Sequence, residues 1–188
     1  MIGSALLCLL RFTQSNNLEV LLTKRAYWNE EKNRPMRYPG EWMFAGGVFD
    51  KDLDENFKQT AMREFREETD FKGEFENLYF LRSCDVHSKG RIYHSEFYTC
   101  TLENLQDNLI SNSSEIVDLA WMEINYILQY MVSDEFTNSQ LKVFKGNDYG
   151  NSKYGKYAVK QREFPQENYN TLKLLKERRD SNQLIFDL

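Results

Sequence analysis

Apolar and polar positions fall in blocks whose period changes along the chain, and those changes predict the elements. The longest apolar run, Ile2 to Leu10, is nine residues. Arg11-Phe12 follows, then the polar stretch Thr13-Gln14-Ser15-Asn16-Asn17 and a second apolar run, Leu18 to Leu22. This is the pattern of a strand, a turn and a strand. Nine residues are far short of the roughly 20 that span a bilayer as a helix. No basic residue precedes the run and no small-residue cleavage site follows, so it does not read as a signal peptide. Residues 26–41 are polar and punctuated by Pro35, Pro39 and Gly40, which predicts a loop. Trp42 to Phe44 is a short apolar segment leading into Gly46-Gly47. Over 56–69 the period becomes helical, with Phe57, Ala61 and Phe65 at i, i+4 and i+8 forming one stripe. Leu78–Cys84, Arg91–Leu102 and Glu115–Trp121 read as strands, Ser113-Ser114 turning into the last, and 123–131 and 166–179 as helices. The sum is an α+β fold, a mixed β-sheet sandwiched between α-helices.

Composition narrows the class. With 188 residues, 41% hydrophobic and 14% aromatic, the chain has the means for a packed core, and 1–188 reads as one domain. Three prolines and nine glycines leave no low-complexity linker. Cys8, Cys84 and Cys100 are too few and too scattered for a disulfide framework or a zinc site. They suit small core positions in a reducing, cytoplasmic setting. A net charge of −5 argues against coating nucleic acid. The average conceals an asymmetry. Asp50 to Asp70 holds eight acids against four bases, or −4, whereas Lys142 to Arg179 holds ten bases against four acids, or +6. The acidic centre is suited to cations, and the basic C-terminal extension, about 142–188, to anions.

Candidate chemistry lies in the acidic centre. Glu64, Glu67 and Glu68 stand at i, i+3 and i+4, so all three project from one helix face. Like charges at those spacings repel on a bare helix, and a hard divalent cation converts the repulsion into binding. An isolated Glu-x-x-Glu-Glu is usually a solvated face. Here a glycine pair precedes it, letting backbone come close to a ligand and leaving carbonyl oxygens as further metal ligands. Arg63 and Glu55 lie within reach of the ridge and are expected to orient its carboxylates.

Gly47, Glu55 and, seven residues on, Arg63-Glu64-Phe65-Arg66-Glu67-Glu68-Thr69-Asp70-Phe71 resemble the Nudix box. Two departures stand out. The Gly47–Glu55 gap is two residues longer than in the usual box, and Asp70 occupies the usual glycine position. Glycine there suits a left-handed helix cap, which Asp tolerates. The flanking strands extend the likeness over about residues 2–130. The resemblance implies a Nudix fold with a loop-helix-loop motif over 47–71, Mg²⁺ or Mn²⁺ held by box carboxylates, and a metal-activated water attacking phosphorus. By position, Gly47 through its carbonyl, Glu64, Glu67 and Glu68 would be metal ligands, and Arg63 and Glu55 would orient them. The general base is open between a box glutamate, Glu64 above all, and a later residue, Glu115 first and Glu96 second. His87 and His94 read as ordinary strand or loop histidines.

Substrate selection lies outside the box. Leu21-Leu22-Thr23-Lys24-Arg25-Ala26 and Arg37 to Gly47 are similar to the segment preceding the box in coenzyme A diphosphatases, although Ala45 replaces proline and Arg37 lies one residue nearer Gly40. That likeness implies Arg25, Arg37 and Phe44 as substrate-binding residues and coenzyme A or a derivative as substrate. ADP-ribose, NADH, dinucleoside polyphosphates and sugar nucleotides fit the box equally. The basic extension, with Tyr154, Tyr157 and Tyr169, reads first as a solvated amphipathic helix and second as an adenine- and phosphate-binding surface. Some Nudix domains only bind ligands as regulators, commonly after losing box carboxylates. This chain keeps all of them, which favours a pyrophosphohydrolase. The expected partner is a small nucleoside diphosphate derivative, not a membrane or a nucleic acid. Dimers are common in the family, so a homodimer is an open expectation.

Overall fold

The first apolar run becomes β1 (Ile2–Phe12), and it is apolar at consecutive positions because both its faces are covered. Ala5, Leu7 and Leu9 join one core and Leu6, Cys8 and Leu10 the other, as the two-residue period of a strand requires. The computed structural model describes residues 2–30, 32–36, 38–75, 77–88, 90–101, 109–111, 113–131, 142–144, 159–161 and 166–183. β1 runs parallel to β8 (Arg91–Thr101), from Ile2↔Tyr93 to Leu10↔Thr101. β8 in turn pairs antiparallel with β7 (Tyr79–Ser88).

On its other edge β1 changes partner along its length. Ser4 to Leu7 pair with β6 (Ala45–Val48), whereas Leu10 to Phe12 pair with β2 (Leu18–Arg25). β2 continues outward to β5 (Trp42–Met43) and β9 (Ile116–Glu123). The seven strands make a mixed sheet, β1–β8 being its parallel pair. The change of partner separates β6 from β2, and the functional residues gather at that opening.

Helix α1 (Phe57–Thr69) starts where Asn56 caps it, the side-chain oxygen accepting the Gln59 N–H at 3.0 Å. It stops at Asp70, whose backbone is left-handed (φ 54°, ψ 24°) and whose N–H donates to the Arg66 carbonyl at 3.0 Å. The Asp found in place of glycine thus performs the same cap. The Phe57/Ala61/Phe65 stripe buries on Ala5, Leu7 and Leu9 together with Phe71 and Phe75. The opposite face is covered by α2 (Ile124–Tyr126), the π turn Ile127–Met131 and α3 (Gln166–Asp180), through Ile124, Ile127, Tyr169, Leu172 and Leu175. Helices therefore sandwich a mixed sheet, the expected α+β architecture.

Three local expectations change. The loop over 26–41 contains a small hairpin, β3 (Trp28–Asn29) with β4 (Arg34–Pro35). Residues 123–131 form one α turn and a π turn rather than a continuous α-helix. Lys142–Phe144 (β10) and Val159–Gln161 (β11) pair as a separate ribbon that the sequence pattern does not announce.

Candidate active site

The three glutamates differ in setting although they share a helix face. Glu67 is 57% exposed at its side chain, Glu64 is half-buried and Glu68 is only 7% exposed. Arg63 holds the outer two, its Nη1 reaching Glu64 at 3.0 Å and Glu67 at 3.2 Å. Arg63 is itself fixed from below. Its Nε and Nη2 donate to the two oxygens of Asp54, each at 2.9 Å. Asp54 also accepts the Thr60 hydroxyl at 3.0 Å and the Asp50 N–H at 3.1 Å. The Arg63 hydrogen bonds hold the Asp54 carboxyl at about 2, well under the usual carboxylate range, despite its burial. A bidentate guanidinium–carboxylate pair fixes a plane as well as a distance.

Asp54 therefore occupies the part expected of Glu55. Glu55 is exposed and exchanges hydrogen bonds with Gln59, accepting from its Nε2 at 3.1 Å and donating its own N–H to Oε1 at 2.8 Å. The longer spacer folds as a turn, with Asp54 N–H on the Asp50 carbonyl at 2.7 Å, and this turns Asp54 inward. The sequence carried only the added length as a signal.

The glycine pair meets the ridge directly. A Cβ on Gly47 would stand 2.3 Å from Glu64 Cδ, so a side chain there would displace that carboxylate. A Cβ on Gly46 would stand 2.3 Å from the Ala5 carbonyl oxygen, so glycine also lets β6 lie close on β1. Glu68 Oε2 accepts the Gly46 N–H at 3.2 Å, and Glu68 Oε1 receives Arg25 Nη1 at 3.2 Å. Burial pushes Glu68 up to about 8 against the pull of Arg25, and burial also raises Glu64. Arg25 Nη2 reaches Glu115 at 2.8 Å, and Glu115 accepts a further bond from Asn29 Nδ2 at 2.9 Å. Glu115, in the turn just before β9, is thus brought to the edge of the ridge with both oxygens engaged.

Other expected residues land elsewhere. Phe44 is fully buried, edge-to-face with Phe97 at 6.2 Å, so it packs the core. Arg25 is committed to two carboxylates rather than presented to a phosphate. Arg37 lies outside the described residues. Glu96 accepts bonds from Tyr98 at 2.5 Å and His94 at 3.4 Å, and His94 also meets Asp85 at 2.6 Å. Tyr169 is buried on the sheet, not offered for stacking. Of the basic positions on α3, Lys176 pairs with Asp180 at 2.5 Å, while Arg178 and Arg179 donate to the Leu81 and Asn16 carbonyls. Tyr154 and Tyr157 lie outside the described residues.

The face of the sheet opposite α1 holds a feature that periodicity did not reveal. A cavity of about 360 Å³ opens there, walled by Leu6, Tyr93 and Phe97 from the sheet and by Gln166, Glu167 and Asn168 from the first turn of α3. Gly46, Gly47 and Arg25 line it as well. The same glycines therefore touch the carboxylate ridge on one side and the cavity on the other.

Among the described residues, no three carboxylate, thiol or imidazole groups are drawn together closely enough to hold a metal. Arg63 draws Glu64 and Glu67, while Arg25 draws Glu68. The donor set nevertheless suits a hard divalent cation. It supplies oxygen ligands from one helix face, a glycine backbone at Gly47 against Glu64, and a desolvated Glu68 for which positive charge offsets burial.

Fold and site together define a loop-helix-loop motif presenting carboxylates beside a glycine strand of a mixed sheet. The sequence matches the NUDIX domain family over residues 2–143, and the chain belongs to that family. Solved structures with this fold include the NUDIX domain of Shewanella oneidensis NrtR complexed with ADP ribose. It is 15% identical, the match covers 95% of this chain and 88% of that one, and the TM-score is 0.63. A C. elegans Ap4A hydrolase in a binary complex is 18% identical over 96% and 99% of the two chains, with a TM-score of 0.59. The M. smegmatis Nudix hydrolase RenU is 18% identical over 98% and 89%, at 0.58. At these identities the likeness is one of fold. No curated protein matches the chain.

Proposed function

We propose that this protein is a divalent-cation-dependent pyrophosphohydrolase that cleaves the diphosphate linkage of a nucleoside diphosphate joined to a second moiety. The observation that carries this reading is the complete ridge of Glu64, Glu67 and Glu68, anchored through Arg63 to Asp54 and packed on a glycine strand that also borders a cavity. Glu64, Glu67, Glu68 and the Gly47 carbonyl would hold Mg²⁺ or Mn²⁺. The ion would neutralise the diphosphate and activate water for attack at phosphorus.

The chain's own groups set up that reaction. Arg63 keeps Glu64 and Glu67 at a common height on the helix, and Asp54 prevents Arg63 from turning away. Gly46 and Gly47 let the diphosphate approach backbone with no side chain in the way. Glu115 is the general-base candidate outside α1, and Glu64 the alternative within it. For Glu115 to accept a proton, one of its bonds to Arg25 or Asn29 has to open when substrate binds.

The same geometry reorders the substrate expectations. Coenzyme A rested on the likeness of Leu21–Ala26 and Arg37–Gly47, with Arg25 and Arg37 as its binding residues; both Arg25 Nη atoms are occupied by glutamates, and Arg37 lies outside the described residues. ADP ribose and dinucleoside polyphosphates therefore come ahead of coenzyme A. Two of the neighbours are named for such compounds, and at 15% and 18% identity this only decides what to test first. Among the described residues no helix is long and apolar enough to cross a membrane. The three free cysteines fit a reducing cytoplasm.

The deciding experiment incubates the protein with ADP-ribose, Ap4A, NADH, UDP-glucose and coenzyme A in Mg²⁺ or Mn²⁺, with products identified by mass. Cleavage of at least one at its diphosphate is expected. Coenzyme A cleaved in preference to the others would restore the order that the sequence suggested. Tight binding of one compound without turnover would make the chain a ligand-binding module instead.

A further inference from the structure

We infer that Asn168 is the specificity-determining residue of the cavity opposite α1, donating through its side-chain amide to an acceptor on the edge of a substrate's nucleobase. This rests on the proposed nucleoside diphosphate reading and adds which end of the substrate the cavity takes and how it is read.

Asn168 sits in the first turn of α3, is 3% exposed, and lines the cavity. Its Nδ2 has no hydrogen-bond partner among the described residues. A buried donor without an acceptor costs free energy on folding. Replacing it with an isosteric apolar side chain would relieve that cost, so its presence calls for a ligand that supplies the acceptor. Its neighbours are otherwise satisfied. Glu167 pairs with Arg82 at 3.2 Å, and Gln166 donates to Asn170 at 3.2 Å. The amide of Asn168 is the polar group in that wall left for the cavity.

The surroundings define the acceptor's chemistry. Tyr93 and Phe97 offer aromatic surface, Leu6 and Met43 apolar surface, and the volume lies in the range of about 300–1,000 Å³ typical of small-molecule sites. Positive charge in the lining comes from Arg25, whose Nη atoms pair with Glu68 and Glu115 while its Nε has no partner among the described residues, and Glu167 adds a third carboxylate near the rim. A phosphate is therefore disfavoured. A flat neutral ring with a carbonyl oxygen or an unprotonated ring nitrogen at its edge fits, since it stacks and accepts at once. The shared Gly46-Gly47 wall puts the other end of such a molecule at the carboxylate ridge, where the diphosphate is cleaved.

The test measures binding in Mg²⁺ of monophosphates, which have no diphosphate linkage to cleave, so it does not depend on turnover. Calorimetry with AMP, GMP and ribose 5-phosphate is run on the wild type, Asn168→Leu and Asn168→Asp, each with its melting temperature. Both variants should weaken AMP or GMP by about tenfold or more, because each lacks the amide donor. Ribose 5-phosphate, which has no base, should bind all three proteins alike. Without ligand, Asn168→Leu should melt at or above the wild-type temperature, as expected of a residue kept for function rather than packing. The inference is overturned if Asn168→Leu binds AMP and GMP as the wild type does, if the wild type binds neither, or if Asn168→Leu melts far below it. A chain that hydrolyses a nucleoside diphosphate while Asn168→Leu keeps its affinity retains the proposed function and loses this inference. A chain that binds AMP through Asn168 without turning over any diphosphate does the reverse.

Discussion

The two faces of the sheet handle their polar groups in opposite ways. On the α1 face every charge near the ridge has a partner. Arg63 meets three carboxylates, Asp54 accepts from four donors, and Arg25 joins Glu68 to Glu115, with only its Nε left without a partner among the described residues of this network. On the α3 face a cavity keeps a buried amide waiting. A closed network holds carboxylates in place for chemistry that does not depend on what the diphosphate is attached to. An open donor in an apolar and aromatic wall discriminates among attachments, since a site built to bond one group rejects molecules that lack it. On the proposed reading the first face is a reaction centre and the second a selector, with Gly46 and Gly47 between them.

Four substitutions test that division, beginning with the largest effect. Glu67→Gln should lower kcat at least thousandfold, about 4 kcal/mol or more of barrier at 1.36 kcal/mol per decade. Its melting temperature should barely move, because Glu67 is 57% exposed. A rate within tenfold of wild type would show that the ridge is a solvated face.

Asp54→Asn comes next, and its effect is on stability. The Asp54 carboxyl sits at about 2 against an ordinary value of about 3.9, so its folded state binds its proton less readily. Its contribution, about 2.5 kcal/mol from the two-unit gap, is present above roughly pH 4 and lost as pH falls through 2. Asp54→Asn should lose this at neutral pH and show a flatter denaturation profile between pH 4 and 2 than the wild type. Parallel profiles would remove Asp54 from the network.

Glu115→Gln should slow kcat by about tenfold to a hundredfold with little change in KM if Glu115 is the base. Equal activity in Glu115→Gln alongside a dead Glu64→Gln would move the base into α1. Glu55→Gln is expected to be the mildest, within about 0.5 kcal/mol of wild-type stability, since Glu55 is exposed and bonds only Gln59 among the described residues. A loss as large as that of Asp54→Asn would return the orienting part to Glu55.

What could be read from sequence follows the same division. The helix, its stripe and its glutamate ridge were legible because i, i+3, i+4 spacing fixes direction once a helix forms. Asp70 was legible as a left-handed cap for the same local reason. Asp54 was not, because Asp50–Glu55, six residues with four acids, does not say which one its turn will bury. Phe44 and Arg25 misled in a related way. Their place before the box was legible, but their side chains face the core and two carboxylates, a matter of strand facing and of contacts 43 and 90 residues away for Arg25. Asn168 had no local signature. Its importance comes from the cavity, which exists only once β1, β8 and α3 have met.

The central claim is that the α1 ridge hydrolyses a diphosphate with the help of a divalent cation. The most direct measurement follows ADP-ribose and Ap4A turnover in ¹⁸O-labelled water, first in EDTA and then across a Mg²⁺ titration, for the wild type and Glu67→Gln. The account predicts no turnover in EDTA, recovery with Mg²⁺ in the wild type alone, and one ¹⁸O in a phosphate product. Equal turnover in EDTA, or an equally active Glu67→Gln, would contradict it.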